Sequence, residues 1–576
     1  MLAVLPASKR KASHFDEALN PVHGSPARRA QLRNEGVHVV RIAAVRVSKH
    51  HGSQLVLNNV SVELHSFSRL GIVGRNGTGK STLLRILAGL EAPDSGGLTR
   101  DPPSLEVGLI TQEHDALPHE TVMSYLLRRT GLGPVATRMD ALEGRMKENL
   151  TAIEPYTETV ERFRALGGGD IEARAAEMCD SLHLPADLDF EMSALSGGQR
   201  ARAALASMLL ARFDLFLLDE PTNDLDFEGL SRLEDWIGGL KGGVAVVSHD
   251  RYFLDRMVED ILELDEHSHT ATAFAGGFTD YREAAKLRRA QQRRAHDRNV
   301  SERARLQQRI RRQRSWAEKG ARRARHSDEP DKNIRFGKTQ GAQNLASKAS
   351  SLERRLDQLE TVEKPWEGWD LDLEIAPGRR SGDIVVRLQG AVLRRGDWEL
   401  GPLDLEIAYG ERIALTGPNG SGKTTLLKAI LGEVPLASGR RYVGPGVVVG
   451  NLDQRRALFG DGVMLSQFQD RSGLLEESAR RLLAKFDLSS EHVERTVDSV
   501  SPGERTRAGL ALLAATEANC LLLDEPTNQL DIPAIEELER ALASYPGTMV
   551  VVSHDRSFLD NLRLEREIPL PVPSGG

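Results

Sequence analysis

Two runs of the chain, GRNGTGKST (Gly74–Thr82) and GPNGSGKTT (Gly417–Thr425), share the form Gly-x-x-x-x-Gly-Lys-Ser/Thr. Glycines at these spacings let successive backbone N–H groups turn inward on an anion. Each run should follow a strand and open a helix whose positive end faces the same anion. Lys80 and Lys423 would reach the outer phosphates of a nucleoside triphosphate such as ATP, and Ser81 and Thr424 would coordinate Mg2+. Gly74, Asn76, Gly77, Gly79 and Thr82 complete the first loop; Gly417, Asn419, Gly420, Gly422 and Thr425 complete the second. A lone match of this kind is a moderate signal, because a fortuitous loop can carry it.

Here each loop is followed by the same set of partners. LSGGQ (Leu195–Gln199), LFLLDEPTNDLD (Leu215–Asp226) and VVSHD (Val246–Asp250) follow the first. VSPGE (Val500–Glu504), CLLLDEPTNQLD (Cys520–Asp531) and VVSHD (Val551–Asp555) follow the second. Ser196 to Asp219 and Ser501 to Asp524 are both 23 residues, and Asp219 to His249 and Asp524 to His554 are both 30. Chance does not repeat such spacing, so the chain is a tandem duplication. Asp219 and Asp524 end apolar runs and can hold Mg2+, and the adjacent Glu220 and Glu525 are placed to polarise an attacking water. His249 and His554 each end a short β-branched strand, where an imidazole can contact the γ-phosphate. Gln112 and Gln454, 32 and 31 residues past their lysines, are expected to sense the metal and the γ-phosphate.

Both halves resemble ATP-binding cassette domains. A linked pair without membrane segments resembles family F of that superfamily, over about residues 38 to 565. The resemblance implies that the two cassettes close head to tail. ATP on Lys80 would then meet Ser501, Gly503 and Glu504, and ATP on Lys423 would meet Ser196, Gly198 and Gln199. Covalent linkage makes closure intramolecular, so no second chain is required. The second half departs from the strict signature at Pro502 and Glu504, which puts equal hydrolysis at the two sites in doubt. By position, His51 stands where an aromatic stacks on adenine in the first half, and Trp398 is its counterpart in the second. Ordinary packing explains either residue equally well.

The elements needed to position these groups define the fold class: α/β, two tandem P-loop NTPase domains joined by a long basic antiparallel helical hairpin. Residues 1–36 read as a flexible extension, 37–280 as the first domain, 281–366 as the helical linker and 367–576 as the second domain with a short tail. Alternation at Val39, Ile42, Val45 and Val47 predicts a strand, as does Leu55–Leu64, and Leu70–Val73 should feed the first phosphate loop. Tyr281–Trp316 has no Pro or Gly and many helix formers, which predicts a helix of roughly 50 Å. Gly320, Pro330, Gly337 and Gly341 mark a break or tip. Beyond it, Leu345, Leu352, Leu356 and Leu359 recur at helical spacing, opposite Leu306 and Ile310. Gln112 to Ser196 spans 84 residues against 47 for Gln454 to Ser501, and an enlarged helical subdomain is the favoured reading over a projecting arm.

At 576 residues the chain is long enough for about three to four folding units. Its apolar runs are far short of the ~18 residues that span a bilayer, and the first twenty residues lack a leader's apolar centre. Two cysteines, Cys179 and Cys520, support neither a disulfide framework nor a zinc cluster. The expectation is a cytoplasmic protein that spans no membrane. Charge is uneven: Ala285–Ala346 holds 19 Lys/Arg against 6 Asp/Glu, +13 in a chain of net −7, which leaves −20 elsewhere. A solvated helix is the bland account of such a block, and a polyanion, most often nucleic acid, is the functional one. Its place between two ATPase halves favours the second.

In the resembled family the inter-cassette helices enter the ribosome near the transfer-RNA site and reach toward the peptidyl-transferase centre. The implied partners are ribosomal RNA and P-site or E-site transfer RNA. Arg311, Arg312, Arg314, Arg322, Arg323 and Arg335 would grip phosphates, and Trp316 and Phe336 could stack on bases or pack the hairpin end. The rival readings are an ATPase subunit of a transporter whose membrane subunits are separate chains, a DNA-associated ATPase, and a catalytically weak structural module. No residue separates a general translation factor from a protein that dislodges a ribosome-targeting antibiotic.

Overall fold

The structure, a computed structural model, describes residues 40–111, 116–146, 150–185, 187–195, 197–223, 225–325, 344, 347–348, 350–359, 379–396, 398–452, 459–486, 488–528 and 530–571. The predicted extension over 1–36, Gln112, Gln454, Ser196, Leu345, Arg335, Phe336 and the side chain of Arg323 lie outside these. The described residues form two compact units, one from those before Asp280 and after Asp370, the other from those between.

The first half supplies β1 (Arg41–His51), β2 (Gln54–His65), β3 (Arg69–Val73), β4 (Ser95–Asp101) and β5 (Val107–Ile110). It continues with β6 (Leu215–Asp219), β7 (Gly243–Val247), β8 (Asp260–Leu264) and β9 (Ala271–Ala275). An antiparallel sheet in the order β2-β1-β4 packs over a sheet ordered β5-β6-β7-β3-β8-β9, which is parallel except at β9. The second half repeats the plan. Its strands are β10 (Ile384–Arg395), β11 (Trp398–Ala408), β12 (Arg412–Thr416), β13 (Ser438–Val443), β14 (Val449–Leu452), β15 (Cys520–Asp524), β16 (Thr548–Val552) and β17 (Arg566–Pro569). They form β11-β10-β13 and the parallel sheet β14-β15-β16-β12-β17. Parallel strands covered on both faces need unbroken apolar runs, and Leu215–Leu218 and Leu521–Leu523 are buried throughout.

Residues 122–210 and 464–515 are largely helical in the two halves. The longer first interval is filled by an extra helix pair, Leu132–Met146 packed against Ile153–Ala165.

One helix runs from Phe278 to Arg325, 48 residues, or about 70 Å of helix, and all but its first two residues belong to the second unit. It passes the break expected at Gly320. One helical glycine costs only about 1 kcal/mol against alanine, and Ala317, Ala321 and Ala324 surround it. Leu306 and Ile310 are buried; Leu352 and Leu356, on a helical segment over 350–358, are half-buried, as is Leu359 just past its end. Arg355 reaches Glu302 at 3.3 Å and Arg314 reaches Glu353 at 2.6 Å, an antiparallel order. No described helix is long and apolar enough to cross a membrane.

Candidate functional site

Parallel register assembles each site. β7 lies between β6 and β3, with Asp219 and Ile72 both level with Val247. The strand ends therefore bring Gly74, the Asp219–Glu220 pair and His249 to one edge of the sheet, where α/β sheets characteristically bind ligands. β16 between β15 and β12 does the same for Gly417, Asp524–Glu525 and His554.

Both phosphate loops close on themselves. Lys80 is buried, its Nζ donating to the carbonyls of Gly74 at 2.7 Å and Arg75 at 3.0 Å; Lys423 repeats this with Gly417 and Pro418. Gly79 and Gly422 precede the helices Lys80–Ala88 and Lys423–Leu431 at φ 93 and 97, a left-handed conformation suited to glycine. A Cβ on Gly422 would lie 2.4 Å from the Trp398 ring. Trp398 thus packs on its loop, and its Nε1 donates to the Gly420 carbonyl at 3.2 Å. His51 instead touches Thr82 Oγ1 through Nε2 at 3.3 Å.

Glu220 and Glu525 sit at φ 51 and 47, unusual for residues with a side chain. Their amides bond Val247 and Val552 on the neighbouring strands at 2.9 Å, which holds the backbone there. His249 Nε2 lies 3.2 Å from Glu220 Oε1, and His554 Nε2 lies 3.6 Å from Glu525 Oε1. Burial pushes the Glu220 carboxyl up to about 7, opposed by Lys80 and reinforced by Asp219. Burial, then Lys80, holds His249 well below the usual histidine range, and His554 falls to about 4 through burial and Lys423. Both imidazoles are therefore neutral at pH 7. Burial raises Asp219 despite its hydrogen bond to Ser81. One carboxylate and one hydroxyl on a phosphate loop fit Mg2+, a hard cation that takes few protein oxygens when phosphates supply the rest.

The halves meet through these same elements. A cavity of about 600 Å3 is lined by Lys423, Thr424, Asp524, Glu525 and His554 and, from the other half, by Gly198 and Arg200. A Cβ on Gly198 would lie 3.2 Å from Asn419 Cβ, whereas one on Gly503 would have nothing within 4 Å. Ser501 and Glu504 are tied to each other: Glu504 Oε2 accepts the Ser501 amide at 2.8 Å and Ser501 Oγ accepts the Glu504 amide at 3.3 Å. Gln199 is half-buried at the start of helix Gly197–Leu210. In the second unit Arg311, Arg312, Arg314, Trp316 and Arg322 are exposed.

Two residues quoted within the motifs but given no role cross from one half to the other. Asp226 Oδ2 accepts the amide of Asn419 at 2.8 Å, and Asp531 Oδ2 accepts that of Asn76 at 3.3 Å, each from the opposite half. The signal was present, since both stand seven residues after Asp219 and Asp524.

Two family models, both described as ABC transporter, match the chain: one at residues 57–223 and 400–528, the other at 264–373. The energy-dependent translational throttle protein EttA of Mycobacterium tuberculosis is 33% identical over 537 residues, 89% of this chain and 88% of that protein. The protein of that name from Escherichia coli K12 is 32% identical, covering 91% and 90%. The putative ATP-binding protein YdiF of Bacillus subtilis is 32% identical, covering 90% and 78%. Among solved structures, archaeal ribosome recycling factor aABCE1, in its complex with stalk protein aP1, superposes with a TM-score of 0.55 at 21% identity, over 91% of this chain and 87% of that one. RNase-L inhibitor gives 0.54 at 20%, over 92% and 90%. At such identity these two speak for the fold alone.

Proposed function

The chain belongs to family F of the ATP-binding cassette ATPases, and from that premise we infer that it is an ATP-switched factor of the bacterial ribosome. The observation that carries the switch is the crossed pairing of Asp226 with the Asn419 loop and of Asp531 with the Asn76 loop. Each ATP-binding loop is completed by the other half, so nucleotide and closure are linked.

ATP would lie on Lys80 or Lys423 with its γ-phosphate facing the signature segment of the opposite half. Mg2+, held by Ser81 and Asp219 or Thr424 and Asp524 with Gln112 or Gln454, would neutralise charge on the phosphates. Water attacks the γ-phosphorus, the bond to the ADP oxygen breaks, and Glu220 or Glu525 takes the water proton. Neutral His249 and His554 would contact the γ-phosphate. Closure presents the basic linker in one geometry, with its exposed arginines and Trp316 toward ribosomal RNA and transfer RNA; hydrolysis releases it. ATP acts this way only if it binds the closed form more tightly than the open one. General translation control and antibiotic protection share this cycle.

The test is co-sedimentation of the Glu220→Gln/Glu525→Gln protein with bacterial ribosomes, with and without ATP. Pelleting that requires ATP supports the reading. A variant that binds ATP yet stays in the supernatant sinks it and points to a membrane or DNA partner.

A further inference from the structure

Each His-Asp pair is followed by an arginine that reaches out of its own half. Arg251, buried, makes a two-pronged contact with Glu539: Nη1 donates to Oε2 at 3.1 Å and Nη2 donates to Oε1. Asn561 Nδ2 donates to the same Oε2 at 3.0 Å. Arg556 Nη1 donates to Glu234 Oε1 at 3.0 Å, and Arg256 Nη1 donates to its other oxygen at 2.6 Å. Glu234 and Glu539 both stand eight residues after Asp226 and Asp531, on the helices those aspartates cap.

One helix therefore holds the opposite half at two places. Helix Ile532–Ser544 holds the first half's phosphate loop through Asp531 and its histidine segment through Glu539; eight residues of helix separate the two grips by about 12 Å. Helix Phe227–Gly239 does the same to the second half at Asn419 and Arg556, and the Phe227 ring meets His554 edge-on at 5.2 Å. Among the described residues neither ring nitrogen of His249 or His554 makes a well-aligned hydrogen bond, and the polar neighbour of each Nε2 is the glutamate of its own half, at 3.2 and 3.6 Å. The rings are placed by their backbone and by packing, and the next anchor along that backbone is the arginine.

We propose that Glu539 and Glu234 are positioning residues for hydrolysis: on closure each clamps the arginine behind the opposite half's histidine and so sets that histidine's distance from its phosphate loop. The clamp couples closure to chemistry in trans. It rests on the head-to-tail ATPase cycle above and needs no ribosome.

A double-mutant cycle on the full chain tests it, using Arg251→Ala, Glu539→Ala and both together, with steady-state ATP hydrolysis and fluorescent-nucleotide binding as readouts. Each single change should lower kcat about tenfold or more, with KM for ATP held within about threefold. The double variant should be no slower than the worse single, because one clamp cannot be broken twice. Glu539→Gln, which keeps the shape and removes the charge, replaces any alanine variant that melts early. Unchanged kcat, losses that multiply in the double variant, or an equal loss of nucleotide binding would overturn the proposal. If the parent hydrolyses ATP but does not pellet with ribosomes, the ribosome reading falls and the cycle still decides this one.

Discussion

Asn419 donates its backbone N–H to Asp226 Oδ2 across 2.8 Å, although 193 residues of chain separate them. The other oxygen, Oδ1, accepts the Gly229 amide at 3.0 Å and starts a helix. Burial alone would raise this carboxyl, but the two amides, His554 and Lys423 hold it below the usual carboxylate range. One ionised side chain thus begins a helix in one half and fastens the phosphate loop of the other.

Asp226→Ala should therefore show two losses. The missing helix cap costs about 1 kcal/mol of stability, read as a lower denaturation midpoint, and ATP turnover falls with it. Asp226→Asn keeps a cap acceptor and loses the charge, so its midpoint should stay near the parent's while turnover still drops. Equal turnover in Asn and parent would remove the charge from the account.

Glu220→Gln/Glu525→Gln should lose hydrolysis by about a hundredfold or more, the usual yield of a positioned base, and still bind ATP. Both residues hold positive φ through amide bonds to the adjacent strand, and glutamine keeps that backbone. Single-turnover phosphate release on each single variant would apportion the two sites. Release at the parent's rate from the double variant would place the base elsewhere.

Asp555 carries a pH prediction. Burial, then the facing Asp250, pushes its carboxyl up to about 7, against the Phe558 amide and Arg251, with Glu539 adding to the rise. The folded chain holds a proton there that the unfolded chain releases from about pH 4 upward. The contribution of Asp555 to stability therefore falls as pH rises between about 4 and 7. Asp555→Asn keeps the acceptor for the Phe558 amide, 2.9 Å away, and removes the titration. Thermal melts at pH 5 and 8 should show the parent losing more Tm than the variant; the reverse order would refute the shift.

In the linker, Leu306→Ala and Trp316→Ala should act oppositely. Leu306 is buried, and truncating a buried leucine costs about 2–5 kcal/mol; faster amide exchange across the linker helix would report it. Trp316 is 57% exposed, so its loss should change stability by less than about 0.5 kcal/mol and weaken ribosome pelleting instead. A Trp316→Ala protein that pellets like the parent would remove that ring from the proposed contact.

The phosphate-loop residues, the Asp-Glu pairs and the histidines were legible in the amino-acid sequence because their chemistry demands particular side chains at the ends of buried strands. Duplication then printed each requirement twice, and the α/β class and the family follow from the same runs. The linker helix was legible for a plainer reason, a long stretch free of glycine and proline; its passage through Gly320 was not, because neighbouring alanines outweigh one poor helix former. The equal offsets of Asp226 and Asp531, and of Glu234 and Glu539, were also there to be counted. What each of them touches was decided only by the tertiary structure. Helix, strand and loop chemistry depend on residues a few places apart, whereas Asp226 against Asn419 and Arg251 against Glu539 depend on how two folded surfaces meet, and no spacing along one chain encodes which carboxylate will face which amide or arginine across that seam.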